Sequence, residues 1–161
     1  MSIYKEHIQN FAWEINNGLT AYIEIHNKIF REAGTFKSLV KNIFGKPVSM
    51  SELLNDAKSL ILMWNNIVEK ITIFSNESYS LMDENEKLYF DILEKYAKAL
   101  SETVAVLTER QKLLNKRSKV GQVNKVNWQT FKEIDYKYES SIREYKLYGK
   151  ELNELNHLIF E

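Results

Sequence analysis

The scarcity of helix breakers constrains this chain more than any other feature of its sequence. Pro47 is the only proline, and the 161 residues include only five glycines. Apolar residues recur at the three-and-four spacing of an amphipathic helix over most of the chain, and no segment shows the alternation typical of a strand. The sequence therefore predicts long helices joined by short connections.

Breakers and capping residues divide the chain into four helices. Their predicted bounds are Tyr4 to Gly34, Ser49 to the break at 75–80, Asp83 to about Arg117, and a fourth from between Asn127 and Thr130 to Leu155. The prediction is an all-α single domain over residues 1–161: an elongated antiparallel four-helix bundle of up-down-up-down topology. A short extra amphipathic helix is expected in the first connection.

Two of the predicted helix starts carry the signature of a capping box. Ser49 is followed three residues later by Glu52, just after Pro47, and Thr130 is followed at the same spacing by Glu133. In such a box the hydroxyl and the carboxylate each accept a hydrogen bond from a backbone N–H group that the helix leaves unpaired. We therefore expect the second and fourth helices to begin with these pairs.

A leucine repeat in the third helix raises the question of a zipper. The leucines stand at a spacing of seven, at Leu93, Leu100, Leu107 and Leu114. The apolar face is wider than a zipper seam, because a further apolar residue precedes each leucine. The stretch from Glu77 to Ile92 holds five acidic residues and one lysine, whereas a DNA-binding zipper needs a basic helix there. The sequence thus favours a core within the chain, with an oligomeric bundle as the alternative.

The formal net charge is zero, but the charges are unevenly distributed along the chain. Six basic residues and no acidic residue stand between positions 110 and 125, whereas the stretch 76–94 is acidic. In an up-down-up-down bundle the first and third connections share one end, so this end is expected to be basic. The candidate interaction surface consists of basic and aromatic residues at or near that end: Lys37, Lys41, Phe44, Lys46, Arg110, Lys112, Lys116, Arg117, Lys119, Lys125 and Tyr136.

The first connection contains a basic amphipathic segment, Phe36–Phe44. Five large apolar residues lie at i, i+3, i+4, i+7 and i+8, with lysines beside them. Such a segment can cover the end of the core, dock on a protein partner or lie on an anionic membrane surface. All three interpretations stay open at this point.

The sequence offers little support for catalysis or metal binding. The absence of cysteine excludes disulfides, thiol nucleophiles and thiolate metal sites, and it suits a reducing compartment. His7 and His157 could share a weak metal site near Glu154, but one Glu-x-x-His motif at a helix end falls short of the two motifs and two further glutamates of di-iron bundles. We predict no catalytic residue, no metal and no cofactor. The lack of any readout motif argues against nucleic acid as a partner.

Two glycines interrupt the interior of long helices. Gly18 and Gly149 would fall nearly level in an antiparallel pair of the first and fourth helices. Facing each other, they would allow a close approach or leave a small cavity near Tyr22, Tyr145 and Tyr148. The alternative is that the two glycines are unrelated.

The predicted function is that of a non-enzymatic helical-bundle module for protein–protein interaction or assembly. Its partner would be another protein, further copies of the chain, or both, and the N-terminal sequence and the lack of cysteine predict a cytoplasmic location. A first alternative is a peripheral membrane-binding bundle that acts through the basic amphipathic segment on an anionic surface. A second alternative is a bundle that binds a small ligand or a metal.

Overall fold

The computed structural model describes residues 2–33, 49–118 and 127–161. All regular structure within them is helical, which confirms the predicted all-α class. The helices are α1 Ile3–Ala33, α2 Met50–Ser78, a short 3-10 helix Tyr79–Leu81, α3 Glu84–Ser118, α4 Trp128–Glu154 and α5 Asn156–Phe160. The extra helix predicted in the first connection lies outside the described residues.

Reciprocal side-chain caps begin both α2 and α3. At α2 the N–H of Glu52 donates to Ser49 Oγ at 3.1 Å, and the N–H of Ser49 donates to Glu52 Oε2 at 3.0 Å, which confirms the predicted capping box. At α3 Asp83 and Glu86 form the same arrangement, at 2.8 and 3.0 Å. The cap at Asp83 follows the 3-10 helix closely and begins α3.

The predicted cap of the fourth helix is wrong. Asn127 is the capping residue, and its Oδ1 accepts a hydrogen bond from the N–H of Gln129 at 2.9 Å. Thr130 therefore lies inside α4, because an asparagine three positions earlier already satisfies a free amide of the first turn. α2 ends at Ser78, within the predicted break at 75–80, and the 3-10 helix follows it.

Three of the four leucines in the α3 repeat are buried within the chain. Leu93, Leu100 and Leu107 have no exposed surface, and the flanking Val106 and Tyr89 are buried with them. This face is wide because α3 packs against α2 on one flank and α4 on the other, and also touches α1 and α5. The repeat therefore forms part of a core within the chain, as predicted.

Contacts between consecutive helices join the late part of one helix to the early part of the other. Lys28 of α1 pairs with Asp56 near the start of α2 at 2.6 Å, and the hydroxyl oxygen of Thr108, in the last third of α3, lies 3.2 Å from the carbonyl oxygen of Ala57 in the first third of α2. The backbones of α1 and α4, by contrast, approach each other much less than those of the other neighbouring helices. No helix in the described ranges has a stretch long and apolar enough to cross a bilayer.

Candidate functional site

A groove of about 750 Å³ lies between α1 and α4. One wall comes from α1, from Ala12 to Ile23, and the other from α4, from Tyr145 to Asn153. The rings of Tyr89 and Tyr96 on α3 lie between these walls. The groove exists because the backbones of α1 and α4 stay apart while α3 packs on both helices.

Aromatic and aliphatic side chains dominate the exposed edges of the groove. Trp13 on α1 lines it and is 61% exposed. Ile23 on α1 and Phe160 on α5 also line it, and both are exposed. Large apolar side chains left in water around one concave surface are typical of a binding site.

Gly149 shapes the α4 wall, but it does not face Gly18. A Cβ atom on Gly149 would meet the ring of Tyr96 at 3.1 Å, so the tyrosine of α3 lies against the bare backbone of α4. A Cβ atom on Gly18 would instead meet the indole of Trp64 on α2 at 3.0 Å. Of the two alternatives, the glycine–glycine approach is therefore excluded, because each glycine accommodates a different aromatic ring.

The charged residues that line the groove are both basic. Lys146 and Lys150 stand one helical turn apart on α4, and no aspartate or glutamate of the described chain lines the groove. Lys150 lies 3.9 Å from Glu154, where both side chains are well exposed, and such a pair contributes little. The groove therefore combines apolar walls with a positive edge.

A chain of hydrogen bonds links α1 and α4 beyond the groove. The Tyr138 hydroxyl lies 2.7 Å from the Tyr22 hydroxyl and 2.7 Å from His26 Nδ1. Burial raises the pKa of both tyrosines far above the ordinary value, so both are neutral donors and acceptors. Burial, followed by the charges of Lys146 and Arg110, lowers the pKa of His26. This chain joins the walls at one end of the groove.

The C-terminal segment joins the walls at the other end. Gln9 Nε2 of α1 donates to the carbonyl of Ile159 at 2.6 Å, and the Tyr89 hydroxyl donates to Asn156 Oδ1 at 3.2 Å. Ile159 is fully buried, whereas Phe160 lines the groove. The apolar tail of the chain thus packs on α1 and α3.

Arg110 differs from its predicted role as a surface residue. It is only 7% exposed, its Nε donates to Asp135 Oδ1 at 2.5 Å, and its guanidinium lies 4.8 Å from the ring of Phe30 and 5.1 Å from that of Phe131. Within the described residues Nη1 has no hydrogen-bond partner. The position of Arg110 among the buried residues of α3 indicates its burial from the sequence alone, whereas its pairing with Asp135 was not predicted.

The rest of the predicted interaction surface divides into described and undescribed residues. Lys112 is exposed and pairs with Glu109 at 2.5 Å, and Arg117 lies 5.6 Å from the ring of Trp128. Lys116 and Tyr136 are exposed as predicted, Tyr136 to 70%, although none of the five surface residues that the structure describes lines the groove. The others lie outside the described residues: Lys37, Lys41, Phe44, Lys46, Lys119 and Lys125.

The histidines proposed for a weak metal site have other contacts. His7 packs against the ring of Phe74 at 5.2 Å, and Nδ1 of His157 lies 3.1 Å from the carbonyl oxygen of Glu154. Over the described ranges, no three histidine or carboxylate side chains gather closely enough to hold a metal ion. In three comparisons with known proteins, no protein-family model, no curated protein and no solved structure matches the chain.

Proposed function

We propose that this protein is a non-enzymatic protein–protein interaction module and that its groove receives an amphipathic helix of a protein partner. The observation that carries the proposal is the exposed indole of Trp13 beside a floor of tyrosine rings. Tryptophan, tyrosine and arginine are the residues that most often dominate binding energy at protein interfaces. We also infer the up-down-up-down order of the helices, which the contacts between early and late parts of consecutive helices support.

The dimensions of the groove suit a helix. The α1 wall extends from Ala12 to Ile23, about 17 Å at 1.5 Å per residue, which is roughly three helical turns. A helix laid along such a groove presents apolar residues at i, i+3, i+4 and i+7 to it and leaves its polar face in water. A small molecule usually needs most of its surface enclosed, which a groove open along its length does not provide.

The charge of the groove defines the partner further. With Lys146 and Lys150 on one edge and no carboxylate among the described lining residues, an acidic amphipathic helix is favoured over a basic one. Complementary charge mainly sets specificity and the rate of association, while the apolar contacts supply most of the affinity.

A displayed library of helical peptides tests the proposal. Peptides of roughly 18 residues, about 27 Å long as helices, are selected on the immobilised protein with their exposed positions randomised. We expect enrichment of sequences with one apolar face and acidic flanks. Trp13→Ala should weaken their binding about 30-fold, the effect of losing a contact of about 2 kcal/mol.

Leu81 provides the matched control, because it is exposed to 63% and does not line the groove. Leu81→Ala should leave peptide affinity unchanged. The proposal fails if no peptide is enriched, or if Trp13→Ala and Leu81→Ala affect the selected peptides equally.

The two alternative functions remain predictions. The membrane-binding alternative depends on the segment Phe36–Phe44, which lies outside the described residues. Sedimentation with anionic liposomes tests it, since Lys37→Glu with Lys41→Glu should abolish salt-sensitive binding. Elemental analysis of the purified protein tests the metal-binding alternative.

A further inference from the structure

The outward face of α2 carries two large apolar side chains that the core does not use. Leu62 is 70% exposed and Ile73 is 49% exposed. They lie eleven residues apart, close to three helical turns, so their side chains point in nearly the same direction. We call the exposed residues from Leu62 to Glu77 on this face the α2 stripe.

The α2 stripe is acidic. Glu69 lies between the two apolar residues and Glu77 one turn beyond Ile73. Both glutamates are exposed, and neither forms an ion pair within the described part of the chain. The nearest lysine of the same helix section, Lys70, is turned towards α1, where it pairs with Glu14 at 2.5 Å.

The α2 stripe and the groove are complementary in three respects. The two apolar anchors of the α2 stripe lie eleven residues apart. The α1 wall of the groove has the same length, because its ends, Ala12 and Ile23, are also eleven residues apart. The α2 stripe is acidic where the groove is basic. Each carries large apolar side chains that this chain alone leaves in water.

We propose that the groove receives the exposed face of α2 from a second copy of this chain, while the opposite face of that helix stays packed in its own core. The inference rests on the proposed function of the groove and names its partner. Leu62 and Ile73 of the second copy pack between the groove walls, against Trp13 and the tyrosine floor. Glu69 lies on the same face between these anchors and Glu77 lies one turn beyond Ile73, so the second copy brings two carboxylates to the groove that Lys146 and Lys150 border.

Such a contact is heterologous, because it joins two different surfaces of the same chain. Each copy that fills a groove leaves its own groove open for a third copy, so association does not stop at a dimer unless a ring closes. A symmetric dimer, by contrast, would join one surface to itself and would stop at two chains. This difference makes the proposal testable by mixing variants.

Two variants each disable one surface. Trp13→Glu with Ile23→Glu places charges in the groove, and Leu62→Glu with Ile73→Glu places charges on the α2 stripe. All four residues are exposed, so both variants are expected to keep the fold, which circular dichroism checks. Leu81→Glu is the control, with similar exposure away from both surfaces.

Sedimentation velocity over a range of concentrations gives the readout. We expect the mass of the wild-type protein and of the Leu81→Glu control to rise past that of a dimer. Each surface variant alone should stay at the mass of one chain, 19.0 kDa. An equimolar mixture of the two should form a species of twice that mass and nothing larger, because it restores one competent groove and one competent α2 stripe.

Exchanging the charges of the groove and the α2 stripe provides an independent test. Lys146→Glu with Lys150→Glu should weaken self-association at least tenfold, and adding Glu69→Lys with Glu77→Lys to the same chain should restore it. The inference is overturned if the wild-type protein stays at one chain at all concentrations, or if the mixture of surface variants does not associate. A wild-type protein that stays monomeric but binds selected helical peptides would overturn this inference and leave the proposed function standing.

Discussion

Two glycines inside long helices lie against aromatic rings that differ in their freedom to move. Gly18 faces Trp64, whose side chain is completely buried, and Ile67 stands beside it. Gly149 faces Tyr96, whose ring lines the open groove. A glycine inside a helix destabilises the fold by about 1 kcal/mol relative to alanine. The effect of replacing it with alanine therefore depends on whether the added methyl group fits beside the neighbouring ring.

We expect opposite outcomes for alanine at the two glycines. Gly18→Ala should lower the free energy of unfolding by about 1–2 kcal/mol, because the closely packed indole of Trp64 cannot yield to a Cβ atom 3.0 Å away. Gly149→Ala should be neutral or stabilising by up to about 1 kcal/mol, because the Tyr96 ring can shift towards the groove. Urea denaturation of both variants measures the difference. Equal effects would contradict this account of the packing.

The buried guanidinium of Arg110 depends on one carboxylate. Asp135→Ala leaves that charge between Phe30 and Phe131 without its partner and should cost about 2–3 kcal/mol. Glu102→Ala serves as the control, because Glu102 pairs with Lys137 across the same two helices at an exposed position. That loss should stay below about 0.5 kcal/mol, as chemical denaturation of both variants would measure. Similar losses in the two variants would mean that burial of Arg110 does not matter.

At the scale of helices, α1 and α4 are held together mainly by side chains that reach across the gap. His26 and Tyr22 of α1 both bond to the Tyr138 hydroxyl, and Tyr145 packs edge-on against Tyr22 with ring centroids 6.0 Å apart. His26 Nδ1 and the Tyr138 hydroxyl can exchange the roles of donor and acceptor while the imidazole is neutral, whereas a protonated imidazole can only donate. One of the bonds between α1 and α4 therefore responds to the charge of His26.

We expect stability to fall when the solution becomes mildly acidic. Burial and the charges of Lys146 and Arg110 lower the pKa of His26 in the folded protein below the value of 6.5 for the free side chain. Below pH about 6.5 the unfolded chain therefore binds a proton that the folded protein does not, and the free energy of unfolding decreases until the folded pKa is reached. Urea titrations from pH 8 to 5 measure this slope. His26→Asn should flatten it, and an unchanged slope would contradict the assignment.

Local signals in the sequence were sufficient for the helices and insufficient for the groove. Ser49 and Glu52 could be predicted because a capping box is complete within four residues. The partner of Arg110 could not be predicted, since Asp135 lies on another helix. Hydrogen bonds between two helices depend on how the helices are rotated relative to each other. The exposure of Trp13 also follows from the distance between α1 and α4, which helical periodicity does not encode.

For the molecule as a whole, tyrosines supply much of the packing between layers of helices. Tyr22, Tyr89, Tyr96, Tyr138 and Tyr145 are all buried. Burial raises the pKa of Tyr89 and of Tyr96 to about 12, and it raises the pKa of the other three as well. A phenol is tolerated in such a core while it stays protonated. A phenolate there would be a buried negative charge without the hydration that it has in water.

This core should make the protein sensitive to alkali. Above pH 10 the tyrosines of the unfolded chain lose protons that the folded protein retains, so the free energy of unfolding falls as the pH rises through the range 10–12. Thermal denaturation measured at successive pH values checks this, together with the absorbance change of phenolate formation. We expect the absorbance change to coincide with unfolding. Phenolate formation in a protein that stays folded would contradict the assignment.

The weaker attachment of α1 on one flank sets the order in which the structure opens. α1 packs on α2 and α3 on one flank, and on the other it borders the groove, which side chains bridge only at its two ends, whereas α3 is covered by neighbours along both flanks. The amides of α1 are therefore expected to exchange with deuterium together and ahead of those of α3, as a separate cooperative unit. Any helix seated in the groove bridges α1 to α4, so mass spectrometry should record slower exchange throughout α1 upon binding.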